Sequence, residues 1–169
     1  WQTPCHSQSS NWPGSSGYYK LNKLTVSGTN WTDTTEYHTD SSCATDYIKW
    51  STTFGSLSIG DAMDFDSYGS SGGSGHRITM TIDTNTFTSL SASDVTWSNS
   101  NSWCGETDWV LNTAQSIAGK TCDGDDFWNT NITIYGLYLL DGNKLFWSYS
   151  NSSYPDSLSI GDNDTFTKQ

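Results

Sequence analysis

The stretch NITIYGLYLL (131–140), the turn DGN and KLFWSYS (144–150) limits the folding options of this chain more than any other. Two runs rich in β-branched and aromatic residues flank Asp141-Gly142, a dipeptide suited to the backbone of a tight hairpin turn. HRITMTID (76–83) adds a clean alternation, with Ile78, Met80 and Ile82 on one face and Thr79 and Thr81 on the other, as in a half-buried strand. GYYKLNKLTV (17–26) places Tyr19 and Leu21 at one parity and Leu24 and Val26 at the other. A bulge near Asn22–Lys23 would bring both pairs to one face. WTDTTEYHTD (31–40), DYIKWSTTF (46–54) and LSIGDAMDF (57–65) read as further strands. TFTSLSASDVTWS (86–98) reads as one or two strands and ETDWVLN (106–112) as a short one. DSYGSSGGSG (66–75) reads as a hairpin tip, TAQSIAGK as one helical turn, and DGDDFWNTN (123–131) as a loop.

No segment of useful length has helical period. Short strands with regular turn signals make an all-β protein, and both a β-sandwich and a closed barrel fit. No linker divides the chain, so 1–169 reads as one domain. Residues 1–16, with Pro4, Pro13 and many small polar residues, read as an irregular lead-in tethered by Cys5. SLSIGD occurs at 56–61 and 157–162, read as coincidence or as two similar strand-turn units.

Composition excludes several function classes. Lys+Arg 7 against Asp+Glu 18 gives −11, and Arg77 is the single arginine. Such a surface repels a phosphate backbone, so nucleic acid is not an expected partner. No apolar run approaches the roughly 18 residues of a membrane span. Trp 9, Tyr 9 and Phe 6 supply much of the core that aliphatic residues normally supply.

The first residue, Trp1, reads as the start of a mature chain after removal of a signal segment. Cys5, Cys43, Cys104 and Cys122 allow three pairings and form no CxxC unit, so zinc-ribbon, thioredoxin-like and c-type haem readings fail on spacing. Sequential pairing, Cys5–Cys43 and Cys104–Cys122, is the simplest, with roughly 3–4 kcal/mol from each loop closure. Such bonds persist only in oxidising surroundings, so the expected location is secreted, extracellular or periplasmic. Sequons stand at Asn30, Asn131, Asn151 and Asn163, numbers expected by chance in a chain this rich in Asn, Ser and Thr.

Motifs for chemistry are weak. Gly69-Ser70-Ser71-Gly72-Gly73 matches G-x-S-x-G but is followed by a strand, whereas a nucleophile elbow needs a helix there. His6, His38 and His76 show no zinc-ligand spacing. Acidic residues cluster at Asp61/Asp64/Asp66, Asp123/Asp125/Asp126 and Asp162/Asp164. The middle group is the best calcium candidate, but it lacks the complete EF-hand pattern and its terminal Glu, so a solvated acidic turn is the default reading. Glu36 and Glu106 would form a glycosidase pair only by accident of folding. These readings give no enzyme, no metal and no cofactor. Trp97, Trp103, Trp109, Trp128 and Trp147 would be core if buried, or a sugar-stacking platform if exposed.

Several landmarks together resemble a group of secreted bacterial lipocalin-like (calycin-type) barrel proteins. They are W-x-x-x-C at Trp1 and Cys5, the strand YYKLNKLTV, and EYHTDSSC running into Cys43. WCGETDW (103–109) ahead of IAGKTCDG (117–124), the hairpin LYLLDGNKLFW and the tail YPDSLSIGDNDTFTKQ complete the set. Gly17-Tyr18-Tyr19 sits where lipocalins carry G-x-W, with Tyr in place of Trp. The resemblance implies an eight-stranded antiparallel up-and-down barrel with room inside for side chains or one small molecule. With no nucleophile–base or metal constellation readable, a non-enzymatic protein is expected. Its ligand would be a small apolar or amphipathic molecule touching Trp50, Ile78, Met80, Ile82, Trp109, Tyr138 and Trp147. A carbohydrate-binding module recognising a glycan through exposed aromatics, and a structural subunit of an extracellular assembly, are the alternatives.

Overall fold

The computed structural model describes residues 1–8, 17–65, 73–158 and 165–169. Its elements begin with strands β1 (His6–Ser7), β2 (Tyr19–Ser27), β3 (Asn30–His38), β4 (Asp46–Phe65) and β5 (Gly73–Ser89). Helix α1 (Ala92–Ser100) and a 3-10 turn at Trp103–Gly105 follow. Then come β6 (Gln115–Ser116), β7 (Thr121–Cys122), β8 (Asp125–Asp126), β9 (Thr133–Asp141), β10 (Lys144–Ser150) and β11 (Phe166–Thr167). One antiparallel sheet runs β1-β2-β3-β4-β5-β9-β10-β11, with β6 on β5 and a separate β7-β8 ribbon. The sheet is strongly curled and barrel-like, as the all-β barrel expectation required, rather than two stacked sheets. Near the amino terminus Gln2 bridges Lys23 of β2 and Thr167 of β11, so Trp1–Thr3 stitches one end of the sheet to the other. No helix among the described residues is long and apolar enough to cross a membrane.

The curl has local causes. β2 and β3 pair without a register shift from Tyr19↔His38 to Ser27↔Asn30. The bulge expected at Asn22–Lys23 is therefore absent, and Leu21 and Leu24 are buried on opposite faces. Gly28, at φ +60°, makes the tight turn between these strands possible. The expected strands 46–54 and 57–65 are one strand, β4, whose register against β5 shifts at Thr53/Phe54, Gly55/Ser58 and Ile59/Ala62. Each shift bends the ribbon and strengthens its twist.

Residues 92–100 form a helix, not the expected strand. The Ser91 side chain accepts from the Asp94 N–H, and Asp94 sits in the first turn, where the helix end favours negative charge. ETDWVLN is not a strand either, and TAQSIAGK carries β6 rather than a helical turn. The helix, the 3-10 turn and the β6–β8 segment form a cap over one end of the curled sheet. Beneath it Tyr37, Ile48 and Phe87 pack with Trp103, Trp109 and Ile117. A second cluster, including Leu24, Trp31, Phe54, Ile78, Met80, Ile82 and Ile134, fills the other end. On the outer face Leu137 and Phe146 are covered by Leu158 of the tail.

The disulfides are Cys5–Cys43 and Cys104–Cys122, the sequential pairing. The first ties the amino-terminal segment to the β3–β4 loop, and the second ties the 3-10 turn to β7. Residues 9–16 of the lead-in, Gly69–Gly72 of the G-x-S-x-G match, most of the 66–75 hairpin tip, Asp66, Asp162, Asp164, Asn163 and the second SLSIGD beyond Leu158 lie outside the described residues.

Candidate functional site

The inner face of the sheet carries a polar belt between its two apolar clusters. In β3 Trp31, Asp33, Thr35 and Tyr37 share one parity and point inward. Trp31 and Tyr37 belong to opposite clusters, which leaves Asp33 and Thr35 between them. Register extends the belt, since Asn22 faces Thr35, Asp33 faces Thr52, and Thr52 faces Asn85. Thr35 Oγ1 donates to Asn22 Oδ1 at 3.0 Å, and Thr52 Oγ1 donates to Asn85 Oδ1 at 3.4 Å. These bonds pair groups that an apolar interior would otherwise strand.

A cavity of about 200 Å³ opens on this belt. Asp33, Thr35, Thr52 and Asn85 form its polar side. Trp50 and Tyr149 come from the strands, while Asp126, Phe127 and Trp128 come from the cap. Ring contacts brace the wall, with Trp50 edge-on to Phe127 at 5.8 Å and Trp128 edge-on to Tyr149 at 5.7 Å. Trp147 stacks on Tyr149 at 4.5 Å. A second hollow of about 410 Å³ shares Asp33, Thr35 and Tyr149 and adds Lys20, Asn22 and Trp147.

Asp33 is half-buried by surface yet walled by aromatic rings. Desolvation pushes its carboxyl up to about 6, against the opposing pull of Lys20 and of hydrogen bonds from the Tyr149 hydroxyl and the Thr34 main chain. Burial, with the Asp33 charge, likewise raises the Tyr149 phenol above its ordinary range. At the cap, burial and then Asp125 push the Tyr37 phenol up to about 12.

The seven residues expected to touch a ligand divide by place. Trp50 lines the first cavity and Trp147 the second. Ile78, Met80 and Ile82 are fully buried in the apolar cluster and line neither. Trp109 is buried under the cap, its indole N–H donating to the Trp103 carbonyl at 3.2 Å. Tyr138 stacks on His76 at 5.7 Å, packed against the same apolar cluster as Ile78. Sequence reasoning missed Asp33, Thr35, Thr52, Asn85 and Tyr149. The parity of Asp33 with Trp31 and Tyr37 in WTDTTEYH was the available signal.

The histidine and glutamate candidates do not line this cavity. His38 is buried on the outer face, its Nδ1 3.1 Å from Asp46 Oδ1 and its Nε2 3.7 Å from Glu36 Oε2. One ion cannot use both ring nitrogens of one imidazole, and Glu36 is already held by Lys23 Nζ at 2.6 Å. Two carboxylates flanking a buried imidazole, one of them held by Lys23, account for the trio without an ion. Glu106 is paired with Lys120, so neither glutamate faces the other across a cleft. Asp123 and Gly124, both at positive φ, turn β7 into β8, and Asp126 Oδ1 accepts from Thr121 Oγ1 at 2.6 Å.

Compared with models of known families, the chain matches none. Among curated proteins no relative matches it.

Proposed function

We propose that this chain is a non-enzymatic binding protein of lipocalin-like type that holds one small amphipathic molecule inside its curled sheet. The observation that carries the reading is the polar belt of Asp33, Thr35, Thr52 and Asn85 set in an aromatic wall. The belt's own hydrogen bonds offset part of the cost of burying it, but desolvation still raises the Asp33 carboxyl, a cost that a scaffold alone has no need to carry. Polar groups converging on a largely aromatic hollow are the common form of a small-molecule site. An extracytoplasmic location accords with two disulfides, which reducing compartments do not maintain.

The test is a fluorescence titration with a panel of small aromatic alcohols, amines and sugars. Trp50 and Trp128 line the cavity, so at least one member should change tryptophan emission saturably. Thr52→Phe, which fills the hollow, should abolish that response while leaving the far-ultraviolet dichroism unchanged. No saturable change from any member of the panel, or an unaltered response in Thr52→Phe, would remove the reading.

A further inference from the structure

We infer that the ligand of this cavity is a small organic ammonium ion, its cationic head against Asp33 and its body among Trp50, Trp128 and Tyr149. The inference rests on the binding reading above and names the chemical class of the guest.

Charge is the first ground. The smaller cavity is lined by two carboxylates, Asp33 on the belt and Asp126 on the cap, and by no cationic side chain. The chain as a whole carries −11, so an approaching anion is repelled and a cation is drawn in. Hydrogen-bond direction is the second ground. Thr35 and Thr52 direct their hydroxyl protons at the amide oxygens of Asn22 and Asn85. The oxygen lone pairs are then what these hydroxyls offer a guest, and an ammonium group brings up to three donors and no acceptor. Aromatic faces are the third ground. Indole and phenol rings attract a cation through their quadrupole, most strongly where water is excluded.

The fourth ground is the surroundings of the Asp33 carboxyl. Asp33 is a desolvated carboxylate whose nearby positive charge, Lys20, lines the neighbouring hollow. An apolar guest would desolvate it further, and a neutral sugar would add no countercharge. An ammonium head supplies a countercharge within the smaller cavity itself, through a charge-assisted hydrogen bond. Lys20 thus competes with the guest, while the Tyr149 hydroxyl holds the carboxylate in place.

The experiment compares phenethylamine with its neutral counterpart 2-phenylethanol by calorimetry at pH 7.5. The amine should bind at least about tenfold tighter, a ratio equal to one charge-assisted contact. Asp33→Asn should erase the difference between the two compounds, and Lys20→Met should tighten the amine more than the alcohol. Lowering the pH to 5 should weaken the amine and not the alcohol, as Asp33 takes up its proton. Equal or tighter binding of the alcohol, or a preference that survives in Asp33→Asn, overturns the ammonium assignment and leaves an interior ligand of another class. Failure of both compounds overturns it too, and the wider panel then decides whether the cavity binds anything.

Discussion

Asn99 of the helix and Trp109 of the cap are joined by a closed pair of hydrogen bonds. Asn99 Nδ2 donates to the Trp109 carbonyl at 3.0 Å, and the Trp109 N–H donates to Asn99 Oδ1 at 2.7 Å. One amide side chain therefore takes both main-chain groups of Trp109, in a segment whose bond to β5 comes three residues later, from the Asn112 N–H to the Ser89 carbonyl. Trp109 itself packs on Phe87 and Trp103 at centroid distances of 5.1 and 5.2 Å. Asn99→Ala should strand two partly buried main-chain groups and cost about 1–3 kcal/mol. Urea denaturation followed by tryptophan emission measures the loss. An unchanged midpoint would show that the cap is held by its other contacts alone.

The two disulfides should differ in what they protect. Chain-entropy arguments give about 3 kcal/mol for a link spanning the 18 residues from Cys104 to Cys122, and about 4 kcal/mol for the 38 from Cys5 to Cys43. Cys104 and Cys122 both lie in the cap, so replacing both by Ala should loosen the cap first. Amide exchange should rise around Trp103–Trp109 and β7 while β9 and β10 stay protected. Uniform exchange across the sheet would argue that cap and sheet open as one unit.

The same local physics explains what could be read from the sequence. The β9–β10 hairpin and the alternation of Ile78, Met80 and Ile82 were legible because one face of each strand is apolar without interruption. The polar belt was not, since an inward Asp33 or Thr52 looks like an outward residue until its neighbours of equal parity are compared. Helix α1 hid for a different reason. ASDVTWSNS has weak helix propensity and no apolar stripe, and its one signal was the cap formed by Ser91 and Asp94. The interior lining from Asp126 to Trp128 depends on how the cap folds over the sheet, which no strand pattern encodes.

Gly136 of β9 lies opposite Ile78 of β5. A Cβ at this position would stand 2.7 Å from Ile78 Cγ1 and 3.3 Å from the Ser148 carbonyl oxygen. Ile78 is fully buried, so its side chain has little room to retreat. Gly136→Ala is expected to destabilise by about 1–3 kcal/mol, the usual cost of overpacking. Ile78→Ala removes Cγ1, so in thermal denaturation Gly136→Ala should cost less in that background than in the parent. An equal cost in both backgrounds would place the strain on the main chain of β10 rather than on Ile78.

Asp33 should make the fold less stable as pH rises. Its carboxyl ionises near 3.8 when exposed and near 6 in the fold, so the folded state holds the proton more tightly. The contribution is favourable below pH 4 and is lost between about 4 and 6, which amounts to about 2–3 kcal/mol for a shift of this size. Asp33→Asn keeps the shape without the charge. It should match the parent near pH 4 and exceed it in melting temperature at pH 7.5. Asp40 acts with the opposite sign. Hydrogen bonds from the Ser42 hydroxyl and the Thr45, Ala44 and Ser42 main chain hold its carboxyl well below the usual range, so its share is present above pH 4 and fades in acid. Thermal melts of Asp33→Asn, Asp40→Asn and the parent from pH 3 to 8 separate the two groups. If Asp33→Asn is no more stable than the parent at pH 7.5, desolvation of the carboxylate costs the fold nothing, and the need for a compensating cation goes with it.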